Sequence, residues 1–262
     1  MPKLQSICQF LDSFAPLRLA EDWDNVGLLM GDRSQSIERI MTCLTVTPES
    51  AAEAIERKAD LIVSHHPIPF RSIQKITTDT VSTKLIWNLA RAGVAIYSPH
   101  TAFDSAADGI NARLATMLEL NRIQPLRPAD EQTEIGSGRY GELGSGKSVG
   151  QIVDLLKEQL NVPQVQISSS RDQVVSKVAV ACGSGGSFLS TAAFRGCDCF
   201  VTGEATFHAI LEARALGLAM VLVGHFASER FALEQLAERL SSEFADCEVW
   251  ASTKEESPLR WA

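Results

Sequence analysis

The chain has 262 residues, of which 45% are hydrophobic and 21% charged, and its formal net charge is −8. That balance is ordinary for a globular protein and excludes disorder or a coiled coil as the main state; the length supports one large domain or two medium ones. An acidic chain is a poor fit for a nucleic-acid binder, which needs clustered Lys and Arg against phosphates, although a local basic pocket for a nucleotide stays open.

The N-terminal segment sets Leu4, Ile7, Phe10, Leu11 and Phe14 at helical spacing, interrupted by Gln5, Gln9 and Asp12. It reads as an amphipathic helix and not as the apolar core of a secretory leader. No apolar run approaches the length of about 18 residues that a membrane span needs, so a cytoplasmic protein with no membrane partner is expected. Cys8, Cys43, Cys182, Cys197, Cys199 and Cys247 are scattered without a CxxC pair. Most sit in apolar runs, where a thiol behaves as a small buried hydrophobe, so no disulfide is expected. Trp23 and Val26 lie in the polar turn DWDN. With Phe10 and Phe14 they pack either inside the subunit or against a neighbour, and the general burial of large apolar groups favours the inside.

Strands alternating with helices follow. Residues 40–46, 60–64 and 94–98 read as short buried strands, with helices over 48–58 and 81–92 between them. Later segments repeat the plan, with strands at 177–182, 198–202 and 219–223 and helices at 187–195 and 207–216. Such alternation predicts parallel pairing in layered sheets. A shift of about 138 positions sets Ile40 on Val178, Asp60 on Asp198, Val63 on Val201 and Ser64 on Thr202, as an internal repeat would. His100 with Asp104 and His225 with Glu229 share the form His-x-x-x-carboxylate. The expected class is therefore α/β, with two similar lobes: residues 1–125, a Gly-, Ser- and Pro-rich linker over 126–150 that has room for short strands, and residues 151–262. Glu229 to Glu243 is expected to be an amphipathic helix.

Two Gly-rich stretches need separate readings. Gly141 to Ser148 matches the P-loop pattern letter for letter, but the residues before it are polar and Gly-rich, where a P-loop needs a buried strand. It is read as a decoy. Gly183 to Gly186 lies between a strand and a helix, where backbone N–H groups hold an anion or simply close a tight turn.

The chemistry concentrates at strand ends. His65 and His66 follow the apolar run DLIVS, His100 follows VAIYSP, and His225 follows AMVLVG. In open α/β sheets ligands bind at the carboxyl ends of strands. Neighbouring side chains on an extended chain point oppositely, so His65 and His66 can serve different ions. Asp104 and Glu229 add carboxylates able to bridge cations, and His225 with Glu229 would share one face of a helix. Three imidazoles with two carboxylates suit Zn, Fe, Mn, Co or Ni, and not a pure Mg or Ca site. A single strand-end histidine is more often a satisfied polar group, so the weight lies on the set. Glu204, His100 and His208 remain as acid/base candidates, with His100 and His208 also able to orient ligands.

The motifs DWDNVGL at 22–28, SHHP at 64–67, SPHTAFD at 98–104, VTGE at 201–204 and GHFASE at 224–229 together resemble the NIF-three-like family, whose members are often called GTP cyclohydrolase I type 2 homologues. The resemblance spans almost the whole chain. It implies a two-lobed α/β subunit with mixed sheets flanked by helices, and a dinuclear metal centre between the lobes. It also implies a homohexameric ring with inward-facing sites. Its metal ligands carry over to His65, His66, Asp104, His225 and Glu229. The usual strand motif LDVTP is here Leu44-Thr45-Val46-Thr47-Pro48, so Thr45 cannot supply the carboxylate of that position. The resemblance implies a metal-dependent hydrolase of a nucleotide or related small molecule, cyclohydrolase-like. The competing reading is a metal-binding or metal-delivery scaffold without turnover.

Overall fold

The computed structural model describes residues 1–130 and 135–260. The chain opens with α1 (Leu4–Phe14), β1 (Gly27–Met30), β2 (Arg39–Cys43), α2 (Pro48–Glu56), β3 (Leu61–Ser64), α3 (Val81–Arg91) and β4 (Ala95–Ser98). Next come α4 (His100–Ser105), α5 (Ile110–Met117), β5 (Asn121–Gln124), β6 (Arg127–Pro128), β7 (Gly136–Ser137), β8 (Arg139–Ser148) and α6 (Val149–Gln159). The remainder is β9 (Gln166–Ile167), β10 (Val174–Ala181), α7 (Leu189–Phe194), β11 (Cys199–Thr202), α8 (Phe207–Ala215), β12 (Ala219–Leu222), α9 (His225–Glu243) and β13 (Glu248–Ala251). No helix among the described residues is long and apolar enough to cross a membrane.

Two compact units result. The first comprises Met1–Phe103 with Ala232–Pro258, and the second Asp104–Phe231. The expected boundary near residue 125 is therefore replaced by divisions inside α4 and α9. The first unit holds a five-stranded sheet in the order β1-β4-β3-β2-β13. Its strands β13, β2, β3 and β4 run parallel, and β1 closes the edge antiparallel to β4. The second unit holds a six-stranded sheet in the order β5-β8-β10-β11-β12-β9, parallel only across β10, β11 and β12. Both sheets are mixed, and each is built around the parallel pairs the alternation predicts.

Local chemistry explains the elements. Every residue of β3 and β11 is buried, which is why each reads as a continuous apolar run and not as an alternation. Pro48 supplies the first helical residue of α2, and Thr47 and Ser50 form a reciprocal capping box there. Met41, Ile62 and Ile96 from three strands meet Ala51 and Ala54 of α2 and Leu85, Ile86 and Leu89 of α3 in one core. In the second unit Ala179, Ala181, Phe200 and Met220 meet Leu189, Ala192 and Ala213. Burying a side chain such as Leu or Phe in these layers contributes about 1.5–3 kcal/mol each.

The internal repeat has a structural counterpart. Asp60 accepts the backbone N–H groups of Glu38 and Arg39, and Asp198 accepts those of Ser176 and Lys177. Each carboxylate stands just before the second strand of a parallel pair; Asp60 meets the start of β2, and Asp198 meets backbone within β10. The registers Thr42 on Val63 and Val180 on Val201 follow the same offset.

The stretch expected to be a linker with short strands holds two of them and a longer one that belongs to the main sheet of the second unit. Residues 126–150 carry β6, β7 and β8, and β8 pairs antiparallel with both β5 and β10. The P-loop-like letters therefore lie in a strand, with Lys147 Nζ 2.5 Å from Glu119 Oε2. Arg139 in β8 is buried, and its guanidinium donates to the carbonyls of Gly136, Gly138, Ser105 and Ala106. All six cysteines are buried and none pairs with another. Phe10 and Phe14 are half-buried against the Phe244 and Phe103 rings, whereas Trp23 is exposed, against the expectation of core packing.

Candidate metal centre

In the first unit β3 delivers two histidines at its carboxyl end. His65 N–H bonds to the Cys43 carbonyl and His66 N–H to that of Leu44, so the parallel pairing runs on past the strand. The Ser98 hydroxyl donates to the His65 carbonyl over 2.6 Å. His100 opens α4 with φ 28°, a left-handed backbone that costs energy in a residue with a side chain and that collects at functional sites. The three imidazoles meet: ring centroids lie 5.1 Å apart for His65–His66 and His65–His100, and 5.5 Å for His66–His100. One nitrogen of each lies within 4.8 Å of the others.

Two of these rings are oriented from behind. His66 Nδ1 lies 2.7 Å from Thr45 Oγ1, and His100 Nδ1 lies 2.7 Å from Asp24 Oδ1. Burial works to raise the Asp24 pKa, but bonds from His100 and Thr101 outweigh it and hold the carboxyl at about 2. Asp24 is thus an anion, and it fixes the His100 ring through Nδ1. The Thr45 loop is itself clamped, since the Glu255 carboxylate accepts the N–H groups of Leu44 and Thr45 at 2.8 and 2.7 Å.

The second unit gathers the remaining candidates. His225 and Glu229 open α9 one turn apart, with Nε2 3.1 Å from the Glu229 carboxylate. His225 Nδ1 lies 3.1 Å from Glu204, which also accepts a bond from Ser184. The Glu229 hydrogen bond raises the His225 pKa most, burial opposes it, and Glu204 adds to the rise, giving about 9. The Ser184 and His225 bonds lower the Glu204 pKa, so Glu204 stays ionised and orients His225. Asp104 receives the Cys182 thiol at 3.0 Å. Asn111 ties the two together, donating to the Asp104 carbonyl and accepting the Cys182 N–H. Burial, then the Asp104 and Glu229 charges, push the Cys182 thiol well above its usual pKa, so it remains a protonated donor. Gly183 follows at φ +58°, and a Cβ there would stand 2.3 Å from Glu229 Oε1. His208 is exposed on α8, with the Phe207 ring as its neighbour.

Sequence reasoning placed His65, His66, His100 and His225 after strands and set His225 with Glu229 at a helix start, while Asp104 came as the carboxylate of SPHTAFD. It did not find Asp24, Asn111, Cys182 or Glu255 as supporting residues. Asp24 alone carried a signal, since it sits in the DWDN motif.

A mixed-sheet α/β protein that collects imidazoles at strand carboxyl ends, with carboxylates on the helices that follow, has the donor chemistry of a transition-metal site. The model of the Duf34/NIF3 (NGG1p interacting factor 3) family matches residues 2–258, and the chain belongs to that family. It is 35% identical over 262 residues to a GTP cyclohydrolase 1 type 2 homolog of Clostridium perfringens, covering 99% of each chain. It is 30% identical to NIF3-like protein 1 of Drosophila melanogaster, over 98% of this chain and 88% of the relative. The fold matches a Bacillus cereus protein related to NIF3 with a TM-score of 0.92 at 22% identity, covering 100% of this chain and 99% of that one.

Proposed function

We propose that His65, His66, Asp104, His225 and Glu229 together hold two divalent ions per subunit, and that the protein is a metal-dependent hydrolase of a nucleotide or related small molecule. GTP cyclohydrolase type 2-like activity is its best single description. The observation that carries this reading is the meeting of three imidazoles from the carboxyl ends of β3 and β4, two of them oriented through Nδ1 by Thr45 and Asp24. Buried histidines arranged this way are characteristic of metal sites, where the second ring nitrogen is tied to a neighbouring acceptor. The names of the relatives support the cyclohydrolase reading.

Zn, Fe, Mn, Co or Ni suits the donor set, and such ions supply Lewis-acid polarisation and activation of water at neutral pH. The chain's own residues do the rest. Asp24 keeps His100 aligned so that its Nε2 moves the proton. Glu204 holds the His225 ring, and the Cys182 thiol with Asn111 fixes Asp104. As a homohexamer the subunits would enclose the sites and admit small molecules; light scattering tests this, and a stable mass near that of one subunit would exclude the ring.

Protein loaded with each metal in turn is incubated with GTP and related nucleotides. Hydrolytic ring opening with release of formate is expected. Full metal content with no product from any nucleotide would leave a metal-binding or metal-delivery scaffold in place of an enzyme.

A further inference from the structure

Trp23 and Phe70 are large aromatic side chains left 61% and 51% exposed. They stand together, with ring centroids 5.9 Å apart and planes inclined by 44°. Each also meets His100, at 6.0 Å and with planes inclined by 76° and 75°. The histidine thus presents itself edge-to-face to both, and both residues stay exposed beside it.

The pair is built and not incidental. Asp24, next to Trp23, bonds to His100 and to the Thr101 N–H, which fixes the 22–26 turn against the start of α4. Asp24 also accepts the Asn25 N–H, and Asn25 Nδ2 donates to the Pro69 carbonyl at 2.8 Å. The residues adjoining both rings are therefore tied to one another through side chain and backbone. A chain that only needed to hide these rings would turn them inward, as it does with the fully buried Phe103.

Two rings are far too small for a stable protein interface, which takes about 800 Å² from each partner. They match one planar ring, because aromatic faces stack with any flat π-system and tolerate its substituents. We infer that Trp23 and Phe70 form a stacking platform for a heteroaromatic ring, of purine size, that holds it beside His100. The inference rests on the reading of the histidine cluster as an active site, and it assigns substrate selection to two residues that bind no metal.

The test uses the full-length metal-loaded protein with GMP and ribose 5-phosphate as probes, in equilibrium dialysis. GMP should bind about tenfold or more tighter than ribose 5-phosphate, the scale of one stacked base. W23L and F70L, which keep apolar bulk but lose the π-face, should each weaken GMP about tenfold and leave ribose 5-phosphate unchanged. W23F should restore most of the GMP affinity, which a merely structural role for the indole would not predict. Metal content measured on the same samples separates the two readings: low metal in the parent protein counts against the metal centre, whereas unchanged GMP affinity in W23L and F70L overturns the platform. A drop in oligomeric mass of these variants without a change in GMP affinity would also overturn it, placing the rings between copies.

Discussion

The Thr45 hydroxyl lies 2.7 Å from Nδ1 of His66, so a neutral side chain stands behind that ring. A hydroxyl fixes the ring's direction but adds no negative charge, and both effects contribute to the strength of a metal-bound imidazole. T45V keeps the shape and removes the acceptor, and should weaken metal binding about tenfold or more. T45D should hold metal at least as tightly as the parent. Competition against a chelator of known affinity measures both, and equal affinity in T45V would remove Thr45 from the site.

Replacing His65 or Glu229 by alanine should lower bound metal from about two ions per subunit, since each change deletes a donor from the proposed set. Elemental analysis of protein purified without added metal or chelator gives the count. Unchanged metal in both variants would overturn the assignment of the ligands.

Gly183 separates conformational strain from collision. At φ +58° an added Cβ meets Glu229 Oε1 at 2.3 Å, whereas Gly196, at φ +71°, has nothing within 4 Å of the same position. G196A should therefore cost only the left-handed backbone, about 1 kcal/mol. G183A should cost about 2–3 kcal/mol and also lower metal content, because the Glu229 carboxylate must move. Thermal unfolding of the two variants side by side gives the difference. Equal losses would mean that Glu229 yields freely.

What the sequence revealed and what it hid follow from how each signal is encoded. Four-residue strands buried on both faces are contiguous apolar runs, so DLIVS and its echo were legible, and with DLIVS the two histidines at its end. His225 and Glu229 were legible because a helix sets such a pair on one face. Strand β8 was hidden, since its polar, Gly-rich letters gain their place from two antiparallel partners. There a Cβ on Gly141 would stand 2.8 Å from the Asn121 carbonyl oxygen, too close for any other residue. Asp24 and His100, 76 positions apart, and Cys182 and Asp104, 78 apart, are joined only by the fold. No local period marks such pairs. The buried Arg139 was hidden for a related reason: its acceptors are carbonyls, which every residue has.

Glu53 connects stability to the candidate site and gives a pH dependence. It is buried in α2, and its carboxylate accepts bonds from Ser252 Oγ, Thr253 N and Oγ1 and Lys254 N. Those bonds hold residues 252–254 in place, and the next residue, Glu255, clamps the Leu44–Thr45 loop that orients His66. Burial works to raise the Glu53 pKa, but the hydrogen bonds win and hold it below the ordinary glutamate value. A carboxylate with a lowered pKa in the folded state contributes stability above its unfolded value of about 4.3, and loses it as pH falls through that value and then the lower folded one. E53Q cannot ionise and turns an amide donor toward backbone N–H groups, so it should cost about 2 kcal/mol at neutral pH. Its stability should also fall less steeply than that of the parent as pH drops below about 4.3, because this one proton-linked contribution is gone. Urea unfolding at several pH values between neutrality and acid measures both effects. Parent and E53Q curves that stay parallel throughout would show that Glu53 is not the linked group. Metal affinity at neutral pH should be lower in E53Q, since loosening residues 252–254 frees Glu255 and with it the Thr45 loop.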